Sequence, residues 1–574
     1  MDIDYAQGLN LDVDIEIGTL EGVTGRLEIA SNMFPKLTIE NKYSHYDSSI
    51  VPFFKSPPST IICKSNYQTL TLCQSTSLGR SFLPAYVVVG AKVNEVTGVD
   101  VSLVGLFSFF NGNSSFVFKD SYLGKRIFDN FIGSEFLISD DVYNFSVNHE
   151  FSSIHDFDKT IISEDAVVRI IKKNGFISLD EAKNIIKKVR VLFSLLLGFD
   201  LSIRKTWLVY GDENYAMPFY FHAFSNSEHP FEHAQQCFMV SPYIFNNDMW
   251  STILNKAFNG EVGDDVSNIW VRLVSLFSYK GFWEYRILGI VSLLDSYSVR
   301  FHKRTGIEKL PSSDFKALKR GMASVLDSYR SSLLLKNDQK YIEKSQVVDS
   351  MVSSLDFIRN TNAQTFQLTF NILFDSVDKD VQGLIGFADG DFKLIKQIRD
   401  LAAHGEAIPQ EIIDNIQQAI IVSEKIKFLL LFIVYRTLGF SRDLFIECCG
   451  MSHHKIKLGA QLRKIKLDEL TGQSKFFKLN DDDWVKVDSL KGVSLAVTYH
   501  VESDYLEIQN DYLSRLSKDW WETKQDEYSS SVDLIYASYA SDDYFGVEYV
   551  ASLYLINGDS HVELNGVILL WLND

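Results

Sequence analysis

Short alternating runs of hydrophobic and polar residues fill the first quarter of the chain. Ile15 to Leu20, Gly25 to Ala30, Leu37 to Glu40, Ala85 to Val93, Val99 to Phe107 and Phe116 to Phe118 are β-branched or aromatic, with Gly, Asn, Asp and Ser between them. That pattern predicts a β region up to about Asp158, built as a sandwich or an open barrel. The period then changes. Ser178 and Glu181 form a capping-box pair, Ile185, Val189, Phe193 and Leu196 recur at helical spacing, and Gly198 closes the segment. Strand-like Thr206 to Tyr210 and Met217 to His222 follow. From Ser267 to Phe440 the pattern is helical, in Trp283 to Phe301, Phe315 to Leu335, Gln346 to Phe374, Phe392 to His404 and Gln410 to Leu438. Four or five antiparallel helices of this kind make a bundle. Beyond Phe440, Phe476 to Leu479, Trp484 to Val487, Leu495 to Tyr499, Leu534 to Ala537, Phe545 to Ile556 and Val562 to Leu572 alternate as strands, with a helix-like piece near Leu513 to Trp521.

The predicted class is multidomain α+β. Residues 1–265 form a β-rich domain whose second half adds a helix and strands, 266–445 an all-α helical bundle, and 446–574 a small acidic β-rich domain. A length of 574 residues agrees with about three or four cores. Hydrophobic residues make up 46% and only 10 are Pro, so the chain reads as globular throughout. Met1-Asp2-Ile3-Asp4 is acidic, unlike a signal peptide, and the longest apolar run, Phe428 to Tyr435, is too short to span a bilayer. Five cysteines, an odd number, give no disulfide framework. A cytoplasmic protein with no membrane partner is expected.

A net charge of −18 excludes a protein that coats nucleic acid over its whole surface, but not a local RNA site. Between Arg300 and Arg320, cations (Arg300, Lys303, Arg304, Lys309, Lys316, Lys319, Arg320) outnumber Glu308 and Asp314. The last stretch carries Asp519, Glu522, Asp526, Glu527, Asp533, Asp542, Asp543 and Glu548. An acidic face repels RNA, so it suits protein recognition, shielding of the basic bundle, or simple solvation.

The chemistry concentrates in Ile398-Arg399-Asp400-Leu401-Ala402-Ala403-His404-Gly405, which ends an amphipathic run begun at Phe392. At about 100° per residue, Leu394, Ile395, Ile398, Leu401 and Ala402 share one face. Arg399 and His404 lie to either side of it, and Asp400 points away. Arg offers a planar cationic fork for phosphate, and His exchanges a proton near neutral pH. A last-turn histidine is also favoured as imidazolium by the helix dipole.

This Arg-x4-His arrangement near the end of a late bundle helix resembles the signature of the HEPN ribonuclease domains. The layout before it, with Gly18-Thr19-Leu20, Gly25-Arg26-Leu27, a Ser-capped helix and a strand, is similar to that of the ApeA-like anti-phage defence proteins. The resemblance implies a homodimer or higher oligomer formed through the bundle, with two motifs facing each other across a two-fold axis. It also implies metal-independent endoribonuclease cleavage by the RNA's own 2′-OH, with no cofactor, and tRNA is a candidate substrate. His404 would handle the proton, Arg399 the phosphate, and Asp400 or Asp295 would orient them. Asp295 and Tyr297 occupy the place where the family carries an acid followed closely by Tyr, although Glu is the commoner acid. A cytoplasmic abortive-infection effector, triggered by a phage protein, follows from the same likeness, which ends at Phe440.

Other readings stand beside this one. A catalytically silent HEPN scaffold for dimerisation and sensing would carry the same pattern. His229-Pro230-Phe231-Glu232-His233 spells a zinc-peptidase order, but no downstream acidic ligand follows in Phe238 to Asn247. Cys448, Cys449, His453 and His454 are four metal-capable side chains within seven residues, yet adjacent pairs strain a single tetrahedral site, so buried thiols in a loop are expected. No phosphate-binding loop or dinucleotide fingerprint is present.

Overall fold

Alternation in the first two strands sets the architecture of the amino-terminal region. In β1 (Leu9–Ile17) Val13 and Ile15 are buried between exposed Asp12, Asp14 and Glu16. In β2 (Leu20–Ile29) Leu27 and Ile29 are buried beside exposed Arg26 and Glu28. One apolar face per strand lets a sheet curve over a core. With β3 (Lys36–Glu40), β4 (Thr60–Ser65), β5 (Gln68–Leu78) and β6 (Ser81–Val89), these strands run in the order β6-β3-β2-β1-β4-β5. The β5–β6 hairpin closes the ring, so the sheet is a barrel with no free edge rather than an open one or a sandwich. Gly25 permits the closure, because a Cβ there would stand 2.6 Å from Ile15 Cδ1 and 2.7 Å from the Thr38 carbonyl oxygen. Phe54 of the short helix α1 (Val51–Lys55) stacks on Phe82 at 4.9 Å.

The last turns of β6 pair with β14 (Tyr215–Phe221), and a second antiparallel run grows from there. It passes through β13 (Ile203–Tyr210), β7 (Val96–Leu103), β12 (Lys159–Lys172), β11 (Tyr143–Asp156) and β10 (Phe136–Leu137). β8 (Phe116–Lys119) and β9 (Tyr122–Lys125) form a separate hairpin, and α2 (Leu106–Asn111) follows β7. Helix α3 (Leu179–Leu197) forms as its caps dictate. Ser178 Oγ accepts from the Glu181 amide at 3.1 Å, and Gly198 ends the helix at φ +78°.

The computed structural model describes residues 5, 8–17, 20–30, 32–40, 51–65, 68–90, 94–111, 116–119, 122–125, 136–137, 142–156, 159–211, 215–223, 237–258, 269–304, 310–336, 339–358, 366–404, 409–487, 496–501, 505–509, 518 and 544–572. The chain is mixed α+β and divides into two compact units, Met1–Ile287 with Lys379–Asp574, and Leu288–Asp378. The helices expected to make one bundle are shared between these units. The first unit adds α4 (Asn247–Phe258) and a helical stretch α5 (269–275).

The second unit holds most of α6 (Trp283–Arg304), then α7 (Ser312–Leu334), α8 (Gln339–Ser354) and α9 (Phe366–Asp375). α7 and α8 are an antiparallel pair joined by Arg330–Asp349 at 2.6 Å, and Lys319 pairs at 3.5 Å with Asp356 just beyond α8. The single helix expected over Gln346 to Phe374 is not formed. The hydroxyls of Ser353 and Ser354 bond back to the carbonyls of Asp349 and Ser350, and the chain tightens into a 3-10 turn at Leu355–Phe357.

In the first unit α10 (Lys379–Ile385) leads to α11 (Asp391–His404). The expected helix Gln410 to Leu438 is broken into α12 (Gln410–Asp414) and α13 (Ile416–Leu438), because Asn415 leaves helical dihedrals at ψ 20° and its side chain bonds back to the Glu411 carbonyl oxygen. Every residue of α13 from Val422 to Phe432 is buried, and the Tyr435 hydroxyl donates to the Leu195 carbonyl oxygen of α3 at 2.7 Å. Three helices then follow, α14 (Arg442–Met451), α15 (Lys455–Gly459) and α16 (Lys464–Thr471). Cys448 and Cys449 therefore lie on a helix, not in a loop. Trp484 to Val487, expected as a strand, belongs to α17 (Asp481–Val487). Asp481 and Asp482 open it, where carboxylates favour the helix dipole.

The carboxy-terminal sheet has the order β15-β18-β19-β16-β17, from β15 (Lys475–Lys478), β16 (Ala496–His500), β17 (Tyr505–Gln509), β18 (Tyr544–Asn557) and β19 (Ser560–Leu572). Leu553, Leu555, Val567 and Leu569 centre its core. The expected strand Leu534 to Ala537, the helix-like piece near Leu513, and all the carboxy-terminal acids named above except Glu548 lie outside the described residues. Among the described residues no helix is long and apolar enough to cross a membrane.

Candidate functional site

Helix α11 forms because its apolar positions recur at three and four residues. Ile395 and Ile398 are fully buried, and that contact fixes which way the rest of the helix points. Arg399 falls on the flank and Asp400 on the face opposite the buried isoleucines. Arg399 Nη1 donates to Asp400 Oδ1 at 3.1 Å, and their side chains are 30% and 46% exposed. The guanidinium is thus held by its neighbour while part of the fork stays accessible. His404 is the last residue of α11, and its side chain lies outside the described residues.

The start of the helix is locked from below. Asp391, the first residue of α11, accepts from the Ala388 amide at 2.9 Å, from Gln418 Nε2 at 2.9 Å and from Lys425 Nζ at 3.2 Å. Lys425 also donates to the Gly386 carbonyl oxygen at 2.7 Å. Both charges are buried, so the pair joins α11 to the middle of α13 with all its close partners in place. Gly386 allows this junction. It sits at φ +59°, and a Cβ there would meet Arg463 Nε at 2.4 Å.

Asp295 and Tyr297 are half-buried on α6, in the Leu288–Asp378 unit, while Arg399 and Asp400 belong to the other. Arg399 and Asp400 are in mutual contact. Of the basic run, Lys316 and Arg320 are exposed on α7, and Lys319 pairs with Asp356.

The remaining constellations separate. His229, Glu232 and His233 lie outside the described residues. Cys448 and Cys449 are buried on α14, and burial pushes the Cys448 thiol up to about 12 and Cys449 well above its ordinary value. His453 is exposed whereas His454 is fully buried, so the two imidazoles do not converge. His454 caps α15, with Nδ1 accepting from the Ile456 amide at 3.1 Å. The ring proton then belongs on Nε2, which sits so close to Gly198 that a Cβ there would be 2.5 Å away. Burial holds this imidazole down at about 3, neutral at ordinary pH. Among the described residues no group of three or more His, Cys, Asp or Glu side chains is placed to hold a metal ion.

Sequence reasoning missed the charges inside α13. Ser423-Glu424-Lys425-Ile426-Lys427 interrupts an otherwise apolar helix, and Glu424, Lys425 and Lys427 are all buried. Three charges within five residues of a hydrophobic stripe were the available signal. Such groups persist in a core only when each has a partner or a ligand. Comparison of the chain with protein-family models, with curated proteins and with solved structures finds no match in any of the three.

Proposed function

We propose that the chain is a metal-independent endoribonuclease of HEPN type, acting as a homodimer in anti-phage defence. The observation that carries this reading is the presentation of Arg399. The guanidinium stands on the accessible flank of a helix whose opposite face is buried and whose first residue is pinned through Asp391 to Lys425. A fixed helix with a half-exposed guanidinium is suited to hold a phosphodiester, and His404 follows five residues later on the same helix.

In this mechanism the 2′-OH of RNA attacks the adjacent phosphorus in line and the 5′-oxygen leaves, giving a cyclic phosphate. His404 moves the proton, taking it from the nucleophile or giving it to the leaving oxygen. Arg399 stabilises the charge that builds on the phosphoryl oxygens, and Asp400 keeps its fork oriented. A second copy supplies the other motif. Support for association comes from α7, where Leu318, Met322, Val325 and Tyr329 recur at helical spacing and are 40–70% exposed. Recognition of a phage product and a tRNA substrate belong to the same proposal.

Incubating the purified chain with total RNA in EDTA, alone and with lysate of phage-infected cells, tests it beside Arg399→Ala and His404→Ala. Cleavage that resists EDTA and disappears in both variants is expected. RNA left intact under both conditions, or cut equally by the variants, overturns the enzymatic reading in favour of a silent scaffold.

A further inference from the structure

A cavity of about 440 Å³ opens in the first unit beside the buried charges of α13, within the size range of small-molecule sites. Its polar wall is cationic, formed by Lys280, Arg286, Lys427 and Lys455. Two carboxylates line it, and neither is available to balance that charge alone. Asp200 is already matched by Arg190 and accepts from Ser278 Oγ at 2.9 Å. Glu424 is shared, pairing with Arg286 through Oε1 and receiving Lys427 Nζ at 2.8 and 2.9 Å.

Three cations therefore compete for one carboxylate, with Lys427 withdrawn from water, Arg286 partly exposed and Lys455 exposed. The Lys427 side chain is only 2% exposed. Burial first, and then the neighbouring Arg286 and Lys455, pull its pKa down to about 8 against the opposing pull of Glu424. Lys455 Nζ lies 5.0 Å over the Phe199 ring and has no hydrogen-bond acceptor among the described residues. The Arg286 Nε atom is buried with no hydrogen-bond partner among the described residues. Lys455 is exposed, so it is the buried Arg286 Nε whose missing acceptor is costly unless an anion completes it. The rest of the wall suits a planar ring. Phe277 is buried, and Tyr279 stands half-exposed, its ring folded onto Gly281, where any Cβ would meet the Tyr279 hydroxyl at 2.2 Å.

We propose that this cavity binds a small ligand of the nucleotide class, with phosphoryl oxygens on Arg286, Lys427 and Lys455 and the base against Tyr279. The phosphoryl group supplies the acceptors that Lys455 Nζ and Arg286 Nε lack, in a setting where charge-assisted bonds are strong. Glu424 keeps the cations together when the site is empty, and Gly459 gives that carboxylate room, since a Cβ there would stand 3.0 Å from Glu424 Cγ. Arg399 is not among the residues that line the cavity, and the proposal does not depend on the ribonuclease reading.

Isothermal titration of the full chain with AMP, ATP, adenosine and inorganic phosphate tests the proposal. AMP or ATP is expected to bind at least tenfold more tightly than adenosine or inorganic phosphate. Lys455→Ala should weaken that binding tenfold or more with an unchanged melting temperature, and Tyr279→Ala should erase the advantage over inorganic phosphate. Arg399→Ala and His404→Ala should bind as the unaltered chain does, so a failed nuclease assay leaves this result independent. Absence of binding by both nucleotides, equal binding by Lys455→Ala, or inorganic phosphate binding as tightly as ATP overturns it.

Discussion

Replacing Asp391 by Ala removes the carboxylate on which the start of α11 is fixed. Three hydrogen bonds disappear together, from the Ala388 amide, Gln418 and Lys425. The larger consequence falls on Lys425, whose side chain is 10% exposed and retains only the Gly386 carbonyl oxygen of its two close acceptors. An ammonium left buried without its counter-ion costs about 3–5 kcal/mol. Lys425→Met removes that charge and should be milder, about 1–3 kcal/mol, because it strands a carboxylate that still accepts two hydrogen bonds. The double variant Asp391→Ala/Lys425→Met should then be more stable than the sum of the singles predicts, by about 2 kcal/mol. Urea unfolding followed by tryptophan fluorescence measures the three values, with hydrogen exchange of α11 identifying the segment that loosens. Strictly additive losses, or an Asp391→Ala cost below about 1 kcal/mol, would refute the claim that the pair holds the helix.

Two further outcomes follow from the buried groups of α14 and α15. His454 is held at about 3 in the folded chain against an ordinary 6.5, so the unfolded chain binds the extra proton as pH falls. The stability contributed by the neutral ring is complete above 6.5 and is lost between 6.5 and about 3, at about 1.4 kcal/mol per pH unit. His454→Asn retains an acceptor at the cap, and between pH 7 and pH 5 it should lose about 2 kcal/mol less stability than the unaltered chain. Equal pH slopes would remove His454 as the cause. Cys448 and Cys449, buried with raised pKa values, should resist iodoacetamide in the folded protein while half-buried Cys237 is alkylated first. Peptide mass spectrometry reads the order, and prompt labelling of Cys448 contradicts the burial.

Local rules written in adjacent residues were legible. The Ser178 cap, the Gly198 stop and the apolar face of α11 appear in the structure where the sequence puts them, because each depends on neighbours within a turn or two. Arg399 was legible as a flank residue for the same reason. Where the pattern failed, a local polar interaction cut across a hydrophobic period. The back-bonding serines ended α8, Asn415 divided α12 from α13, and Asp481 and Asp482 open a helix where a strand was expected around Trp484.

Tertiary structure decided the rest. Closure of the barrel depends on the pairing of β5 with β6 and on the close approach at Gly25, which strand periodicity cannot distinguish from an open edge. The allocation of the helices to two units depends on contacts between elements far apart in sequence. The same holds for the charges of α13. Glu424, Lys425 and Lys427 look like one solvated patch in sequence, yet packing on both sides of the helix sends Lys425 to Asp391 and Lys427 to Glu424 and the basic cavity. The sequence by itself determined the cap and stop of α3, the buried positions Ile395 and Ile398 of α11, and the place of Arg399 beside them. Burial of charge, and therefore what those charges can bind, was determined only when separate elements excluded water around them.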